Sequence, residues 1–307
     1  MLLHNTIHRF IAPFLCLALL PLFSFIELIL TLVLHIRRTP FNPAGKVIFI
    51  TGASSGIGAE LAQEYARKKA ILILVARRRN ELEAVAAKCL ELGAHTVVVE
   101  AVDVTVEQDL KLAIHKAGDR FGCIDLLVLN AGIGMAQNVR DCSDLSFFRQ
   151  ITELNYLSVV SAVIYALPFV KAASRGKIVV ISSILGFTSA PSASGYCASK
   201  YALKGFIDSL RMEEPSIDIT MIYPGMVDTG IFDKITGNKV GPNNTLSQVI
   251  STKDAISLIV NAVNRGARDE VFSLEGNFGW FMKPFAPRLL DLITTLGFQA
   301  SLKRKNQ

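Results

Sequence analysis

The chain has 307 residues, of which 51% are hydrophobic, and its mean hydropathy is +0.40. That apolarity exceeds what a soluble protein of this size needs, so part of it is expected to face lipid. The formal net charge of +6 fits a solvated surface attracted to anionic headgroups, and no nucleic-acid partner is expected because no basic and aromatic residues interleave. The cysteines and histidines lack ligand or pairing spacing, so neither a metal site nor a disulfide framework is predicted.

An apolar segment over residues 10–36 carries Glu27 as its one formal charge and is long enough to span a bilayer. We predict a retained membrane anchor over residues 1–38, followed by a linker over residues 39–45. Pro13 and Pro21 leave a hairpin within one leaflet, or a lipid-droplet surface, as alternatives. The excess of basic residues on the C-terminal flank favours a cytosolic catalytic domain. The expected membrane is that of the endoplasmic reticulum.

Six short β-branched runs follow, separated by amphipathic stretches, at residues 46–50, 71–76, 96–102, 124–130, 177–182 and 217–223. Near-continuous apolar runs are what a parallel sheet covered by helices on both faces requires. The predicted fold class is α/β, a Rossmann-type doubly wound parallel sheet forming a single domain over residues 46–270, with the N-terminal hydrophobic anchor.

Two later segments depart from this rhythm. Residues 226–253 are rich in Gly, Asn, Asp and Lys and are predicted to form a mobile lid. Residues 271–307 form an apolar extension with a basic end, for which a second membrane contact, an oligomer face and an ordinary packed helix all remain open.

A glycine-rich segment directly follows the first predicted strand and precedes a predicted helix. Glycine lets the backbone turn tightly and approach a pyrophosphate, and the unpaired amides of a helix N-terminus favour negative charge. A glycine triplet alone is weak evidence, but this position strengthens it. It predicts a dinucleotide site built from Thr51, Gly52, Ser54, Ser55, Gly56, Ile57 and Gly58.

Arginines stand where the second predicted strand ends. An NAD-selective site usually places Asp or Glu there to bind the ribose hydroxyls, and the sequence instead reads Ala76-Arg77-Arg78-Arg79. Guanidinium groups bind phosphate in bidentate fashion, so Arg77 and Arg78 are expected to select NADP(H). The alternative is a group of solvated arginines that opens the next helix.

Tyr196 and Lys200 are spaced i,i+4, which places a phenol and an ammonium on one helix face. Ser183 ends the fifth predicted strand, at the edge where parallel sheets open onto their ligands. Tyrosine, with a pKa near 10, is a poor base at neutral pH and needs a nearby cation to stabilise its phenolate. We therefore predict that Tyr196 is the acid/base, Lys200 the cation and Ser183 the donor to the substrate oxygen.

Together these motifs resemble the short-chain dehydrogenase/reductase family over roughly residues 46–263, and most of all its membrane-associated members such as 11β-hydroxysteroid dehydrogenase. The matching positions are the glycine-rich segment 51–58, Asp103-Val104, Asn130-Ala131-Gly132-Ile133, Asn155, Ser183, the segment 196–200 and the segment 224–229.

The resemblance implies further roles. Asp103 and Val104 would contact the adenine, and Asn130, Ala131 and Gly132 would shape the cofactor floor. Asn155 would hold a water that passes protons toward Lys200, with a surface amide as the alternative. Pro224, Gly225, Val227 and Thr229 would hold the nicotinamide end, with Thr229 as a plain helix cap being the alternative.

The resulting prediction is an NADP(H)-dependent oxidoreductase that moves a hydride between nicotinamide and the carbonyl or secondary alcohol of an apolar substrate, such as a steroid, retinoid, sphingoid or acyl lipid. The expected partners are that substrate, the membrane through residues 10–36, and a second copy in a homodimer. The alternative function is a catalytically silent scaffold that binds NADP(H) or lipid at a membrane or droplet surface.

Two positions depart from the family pattern. Lys69 stands where the turn into the second strand usually carries glycine, which costs about 1 kcal/mol if that backbone is left-handed. The segment 211–216, before the sixth strand, is shorter than usual in the family, and this puts the dimer in doubt.

Overall fold

The computed structural model describes residues 12–37, 40–134, 137–229 and 249–305. The chain divides into two compact units, Met1–Pro40 and Phe41–Gln307. In the first unit, α1 (Ala12–Arg37) is one helix that continues through Pro21. Its large apolar side chains from Leu20 to Val33 are 39% to 59% exposed. The division of residues 41–307 into a catalytic domain and a C-terminal extension stays a prediction.

The second unit alternates strands and helices. The strands are β1 (Val47–Thr51), β2 (Ile71–Val75), β3 (Thr96–Glu100), β4 (Leu126–Leu129), β5 (Lys177–Ile181), β6 (Asp218–Tyr223) and β7 (Asp269–Val271). The helices are α2 (Gly56–Arg67), α3 (Arg79–Glu91), α4 (Glu107–Phe121), α5 (Ser146–Thr152), α6 (Ser158–Ala172), α7 (Ser194–Glu213), α8 (Thr252–Arg265), α9 (Leu274–Phe285) and α10 (Pro287–Lys305).

The seven strands form one parallel sheet in the order β3-β2-β1-β4-β5-β6-β7. The strand order reverses between β1 and β4, and in such sheets this switch point opens a crevice at the carboxyl ends of the strands. The predicted α/β fold class and its six strands are confirmed. The sequence did not predict β7, because its three residues include Asp269 and Glu270 and form a short edge strand without an apolar run.

The core lies on both faces of the sheet because successive strand residues point to opposite sides. Phe49 in β1 packs with residues of α4, α6 and α7 on one face. Ile48 and Ile50 pack with residues of α2, α3 and α8 on the other. The β-branched runs therefore bury side chains in two directions, which explains why they do not alternate with polar residues.

Among the described residues, one helical stretch, residues 146–172, is apolar and long enough to cross a membrane by length and composition. However, 44% of its most apolar part is buried within the molecule. Because it packs against α4 and α7, it is a core helix. A shorter apolar stretch, Ala18–Leu30, lies in α1. The predicted lid falls largely on residues 230–248, outside the described residues, and at its described ends Val227 pairs with Ile250.

Candidate active site

The predicted site residues gather at the carboxyl edge of the sheet, because most of them lie at or just after a strand end. The glycine-rich segment follows β1, the arginines follow β2, and Asp103 and Val104 follow β3. Asn130, Ala131 and Gly132 follow β4, Ser183 follows β5, and the segment 224–229 follows β6. Tyr196 and Lys200 lie on α7.

The glycine-rich segment is held close to the turn after β4. Gly52 and Gly56 have φ values of +67° and +58°, which favour glycine. A Cβ on Gly58 would lie 2.4 Å from the Gly52 carbonyl oxygen and 2.6 Å from Asn130 Nδ2, so position 58 accepts only glycine. Asn130 Nδ2 donates to the carbonyls of Thr51 and Gly52 at 3.1 and 3.2 Å.

The buried Thr51 hydroxyl links the same two segments. Its Oγ1 accepts hydrogen bonds from the amides of Asn130 and Ala131 at 3.0 and 3.1 Å. Ser55 is the N-cap of α2, and its side chain makes no capping hydrogen bond, so the first amides of this helix are not blocked by it. An open helix N-terminus beside a glycine cradle fits a pyrophosphate.

The two arginines after β2 differ in their contacts. The Arg78 guanidinium donates from Nη2 to Ser54 Oγ at 3.0 Å and to Ser55 Oγ at 2.9 Å, so it lies across the glycine-rich segment. Arg77 Nη1 lies 3.6 Å from Asp103 Oδ2, and its side chain is 62% exposed. Asp103 also accepts from the amide and hydroxyl of Thr105. Arg78 thus points to the predicted phosphate cradle, whereas Arg77 pairs with the residue expected near the adenine.

Ser183 and Tyr196 influence each other through their side chains. Burial raises the pKa of Tyr196 to about 12, and the Ser183 side chain opposes that rise. Ser183 Oγ also accepts from the amide of Leu185 at 3.2 Å, which caps the short 3₁₀ turn Ile184–Gly186. Ser183 is therefore fixed by its own turn while its hydroxyl remains within reach of the phenol.

Lys200 is almost completely buried, with 4% exposure. Its ammonium donates to the Ile181 carbonyl at 3.0 Å and lies 5.8 Å from the centre of the Tyr196 ring. Burial lowers the pKa of Lys200 to about 8. We expected this ammonium to lower the pKa of Tyr196, whereas the desolvation of the phenol dominates in this arrangement.

Asn155 lies in a π-helical turn, Glu153–Leu157, between α5 and α6. Such turns are frequent at functional sites. Its Oδ1 accepts from the Ile133 amide at 2.9 Å, and its Nδ2 donates to the Ile133 carbonyl at 2.9 Å and to Ser199 Oγ at 3.1 Å. The residue is fully buried, which excludes the alternative of a surface amide. Its predicted role of holding a water stays a prediction.

Gly132 lies between Asn155 and Lys200. A Cβ at this position would be 3.2 Å from Asn155 Oδ1 and 3.8 Å from Lys200 Nζ. The turn after β4, the π-helical turn and α7 therefore meet at one point.

The segment after β6 closes the other side of the site. The Pro224 carbonyl accepts from the Ile184 amide at 3.1 Å, which ties it to the turn after Ser183. Thr229 lies against Gly56, because a Cβ on that glycine would come within 3.3 Å of the Thr229 Cβ. Val227 is buried, and Gly225 lies against Ser273. The structure thus brings Thr229 to the glycine-rich segment.

Two site features were not predicted from sequence. Ser199 accepts from Asn155 and donates to the Tyr196 carbonyl at 2.8 Å. Nothing in the sequence of the segment 196–200 distinguishes it as a site residue. Ser192 has φ +62° and donates to Asn138 Oδ1 at 3.0 Å, while the Gln137 amide donates to its carbonyl at 2.8 Å. This clasp links the loop after β4 to the turn before Tyr196.

The model of the short chain dehydrogenase family matches residues 46–239, a range that includes every predicted site residue from Thr51 to Thr229. The chain belongs to the short-chain dehydrogenase family. It is an oxidoreductase of this family, and a nicotinamide cofactor is confirmed as the cofactor type. Within the described residues no group of three His, Cys, Asp or Glu side chains could hold a metal ion.

Relatives of known name support this assignment. The chain is 34% identical over 294 residues to 11-beta-hydroxysteroid dehydrogenase-like 4A of Arabidopsis thaliana, which covers 94% of this chain and 97% of that protein. It is 38% identical over 234 residues to human dehydrogenase/reductase SDR family member 7, covering 73% and 69% of the two chains.

Solved structures share the fold. An alcohol dehydrogenase from the archaeon Thermococcus sibiricus, complexed with 5-hydroxy-NADP, has a TM-score of 0.66 at 27% identity and covers 75% of this chain and 95% of its own. A short chain dehydrogenase from Burkholderia cenocepacia, in complex with NADP, has a TM-score of 0.70 at 23% identity, covering 83% and 99%, and this likeness supports the fold alone.

Proposed function

We propose that this chain is a membrane-anchored, NADP(H)-dependent oxidoreductase that interconverts an apolar carbonyl compound and its alcohol, with Tyr196 as the acid/base. The observation that carries the proposal is the convergence of Ser183, Tyr196, Lys200 and Asn155 at the carboxyl edge of the sheet, beside a glycine cradle.

The residues around the glycine cradle fit a dinucleotide. The absence of side chains at Gly52 and Gly58 lets a pyrophosphate approach the backbone, and the open N-terminus of α2 offers amides to it. Asp103 and Val104 lie at the predicted adenine end, and Thr229 lies against Gly56 at the predicted nicotinamide end. When bound, the nicotinamide supplies or accepts the hydride.

Arg78 is the main selector of the cofactor in this proposal. Its guanidinium is held by Ser54 and Ser55 through Nη2 and pairs with Glu81 at 3.4 Å through Nη1. It can bind a 2′-phosphate, and residues 76–79 after β2 contain no carboxylate. Arg77 adds a second positive charge that Asp103 partly offsets. The preference for NADP(H) over NAD(H) follows from these contacts.

The chain's own groups handle the proton and the substrate oxygen. Ser183 donates a hydrogen bond to that oxygen, and Tyr196, with its pKa near 12, is protonated at neutral pH and ready to give its proton during reduction. Lys200 holds the ribose end of the cofactor and lowers the cost of the phenolate that forms. Asn155 fixes the turn after β4 through Ile133.

The apolar character of the substrate is inferred from α1. A helix of 26 residues extends about 39 Å, enough to cross the hydrocarbon core of a bilayer. A catalytic unit joined to such an anchor meets compounds that partition into lipid, such as steroids, retinoids, sphingoid bases and acyl derivatives. An endoplasmic reticulum membrane with a cytosolic catalytic unit is the proposed location.

The substrate proposal is tested by measuring NADPH oxidation by the purified full chain in detergent, against apolar ketones and aldehydes and against short water-soluble ones. We expect kcat/KM to be highest for members of the apolar group, and lower with NADH than with NADPH. Turnover confined to the water-soluble compounds would contradict the substrate class and leave the reaction type standing.

A further inference from the structure

The last two helices expose a row of large apolar side chains. Leu274, Phe278, Phe281 and Phe285 of α9 are 79%, 48%, 66% and 58% exposed. On α10, Leu289, Leu292, Ile293 and Leu296 are 48%, 55%, 45% and 55% exposed. The α9 positions are spaced by three or four residues, and the α10 positions follow the pattern i, i+3, i+4, i+7, so in each helix they share one side. We refer to these eight side chains as the C-terminal apolar face.

The opposite side of these helices is already packed. A Cβ on Gly276 would come within 2.7 Å of side-chain atoms of Ile184, and one on Gly279 within 2.7 Å of Thr188. Leu290 is 6% exposed. The core contacts of α9 and α10 are therefore made by other residues, and the C-terminal apolar face is surplus to them. Clustered exposed apolar side chains on two helices that contact each other mark an interaction site.

The charges nearby identify the partner. From residue 274 to the chain end there are five basic and two acidic residues, and three of the basic ones are the consecutive Lys303, Arg304 and Lys305. Asp291 is paired with Lys283 at 3.7 Å. Apolar side chains combined with excess positive charge suit the interface of a bilayer with anionic headgroups. A second copy of the same face would bring like charges together.

We propose that the C-terminal apolar face docks onto the surface of a lipid bilayer containing anionic headgroups, as a contact separate from α1. The two helices lie in the membrane interface and do not span the bilayer. With 12 residues α9 is too short to span it, and α10 carries the charged Arg288 and Asp291 near its start. This inference adds to the proposed function the place where the catalytic unit meets lipid.

Docking there brings lipid close to the substrate side of the site. Trp280 in α9 packs against Phe187 at 4.7 Å between ring centres and against Tyr223 at 5.5 Å. Phe187 directly follows the 3₁₀ turn that Ser183 caps. The inner side of α9 therefore packs directly behind the turn that carries Ser183, the proposed hydrogen-bond donor to the substrate. This step rests on the proposed function, whereas the docking itself does not.

The chain provides its own probe, because Trp280 is its single tryptophan and is 38% exposed. We would place the full chain in phosphatidylcholine and phosphatidylserine vesicles with or without bromine on the acyl chains. Bromine quenches tryptophan over a short distance, so the partly exposed Trp280 reports lipid beside the outward-facing Phe281. The expected result is about a twofold loss of Trp280 emission in the brominated vesicles. Substituting Phe281→Glu and Phe285→Glu together should remove most of that loss.

The control places a tryptophan at the opposite edge of the sheet. Leu112 on α4 is 49% exposed, and the double variant Trp280→Phe, Leu112→Trp should show no quenching by brominated lipid. Equal quenching at both positions, or none at Trp280, would overturn the proposal. A dimer in detergent that the Phe281→Glu, Phe285→Glu variant dissociates, together with no quenching at Trp280, would assign the face to a second copy and also overturn the proposal. None of these readouts depends on turnover.

Discussion

The ammonium of Lys200 donates a hydrogen bond of 3.0 Å to the carbonyl oxygen of Ile181. Ile181 is the last residue of β5, two positions before Ser183, and Lys200 lies one helical turn after Tyr196. One buried side chain thus connects the strand that carries Ser183 to the helix that carries Tyr196. The cost of this link is the desolvation of a cation, which lowers the pKa of Lys200 to about 8.

Replacing Lys200→Met should separate stability from activity. Methionine fills a similar volume without a buried charge, so we expect the free energy of unfolding to rise by about 1–2 kcal/mol despite the loss of the bond to Ile181. Turnover should fall at least a hundredfold, since general acid–base catalysis loses its cation. Thermal unfolding and NADPH oxidation of the same preparations measure both effects, and a destabilised variant would contradict the argument.

The stability contribution of Lys200 should also depend on pH. Its pKa is about 8 in the folded chain and 10.5 as its ordinary value, so between these values the unfolded chain binds more protons. Stability then rises with pH in that window, and the penalty is fully present below it. We expect the difference in melting temperature between Lys200→Met and the unsubstituted chain to narrow from pH 8 to pH 10. A constant difference would mean that Lys200 does not titrate there.

The two arginines after β2 should contribute unequally to cofactor choice. Arg78 contacts Ser54 and Ser55 of the glycine-rich segment in addition to its ion pair with Glu81, whereas Arg77 pairs with Asp103 at the predicted adenine end. Arg78→Ala should weaken NADPH binding by about 1.5–3 kcal/mol, the range of a hydrogen bond to a charged group, and leave NADH binding nearly unchanged. Arg77→Ala should have a smaller effect. Binding titrations of both variants with both cofactors test this, and an equal loss for NADPH and NADH would contradict the assignment to the 2′-phosphate.

Lys69 offers a stability test away from the site. Lys69 stands where the family usually has glycine, and its backbone is left-handed, with φ +60°. Its side chain is exposed. A left-handed non-glycine residue costs about 1 kcal/mol, so Lys69→Gly should stabilise the chain by about that amount. Lys68→Gly is the matched control, because Lys68 has φ −94° and glycine gains nothing there. A lower melting temperature for Lys69→Gly would show that its side chain contributes more than the strain costs.

The sequence was sufficient for the parts of the fold that repeat a local pattern. The buried runs of β1 to β6 and the glycine-rich segment follow from apolar periodicity and from the requirements of a tight turn. The three-residue β7 was missed because its pairing with β6 is a tertiary contact that Asp269 and Glu270 do not signal locally.

Contacts between distant segments were also beyond the sequence. The π-helical turn at Asn155 and the clasp between Ser192 and Asn138 depend on segments that fold against each other. Nor could the motif indicate that Arg78 and Arg77 point to different partners, since both are arginines beside the same strand end.

The central claim is that Tyr196 gives and takes the proton in hydride transfer. Its most direct test compares Tyr196→Phe with Tyr201→Phe, an exposed tyrosine on the same helix, by measuring NADPH oxidation and NADPH binding in parallel. We expect Tyr196→Phe to lose at least a hundredfold in kcat while it binds NADPH normally, and Tyr201→Phe to keep both. Unchanged turnover in Tyr196→Phe would contradict the mechanism, and no turnover in the unsubstituted chain with any carbonyl or alcohol would favour the scaffold instead.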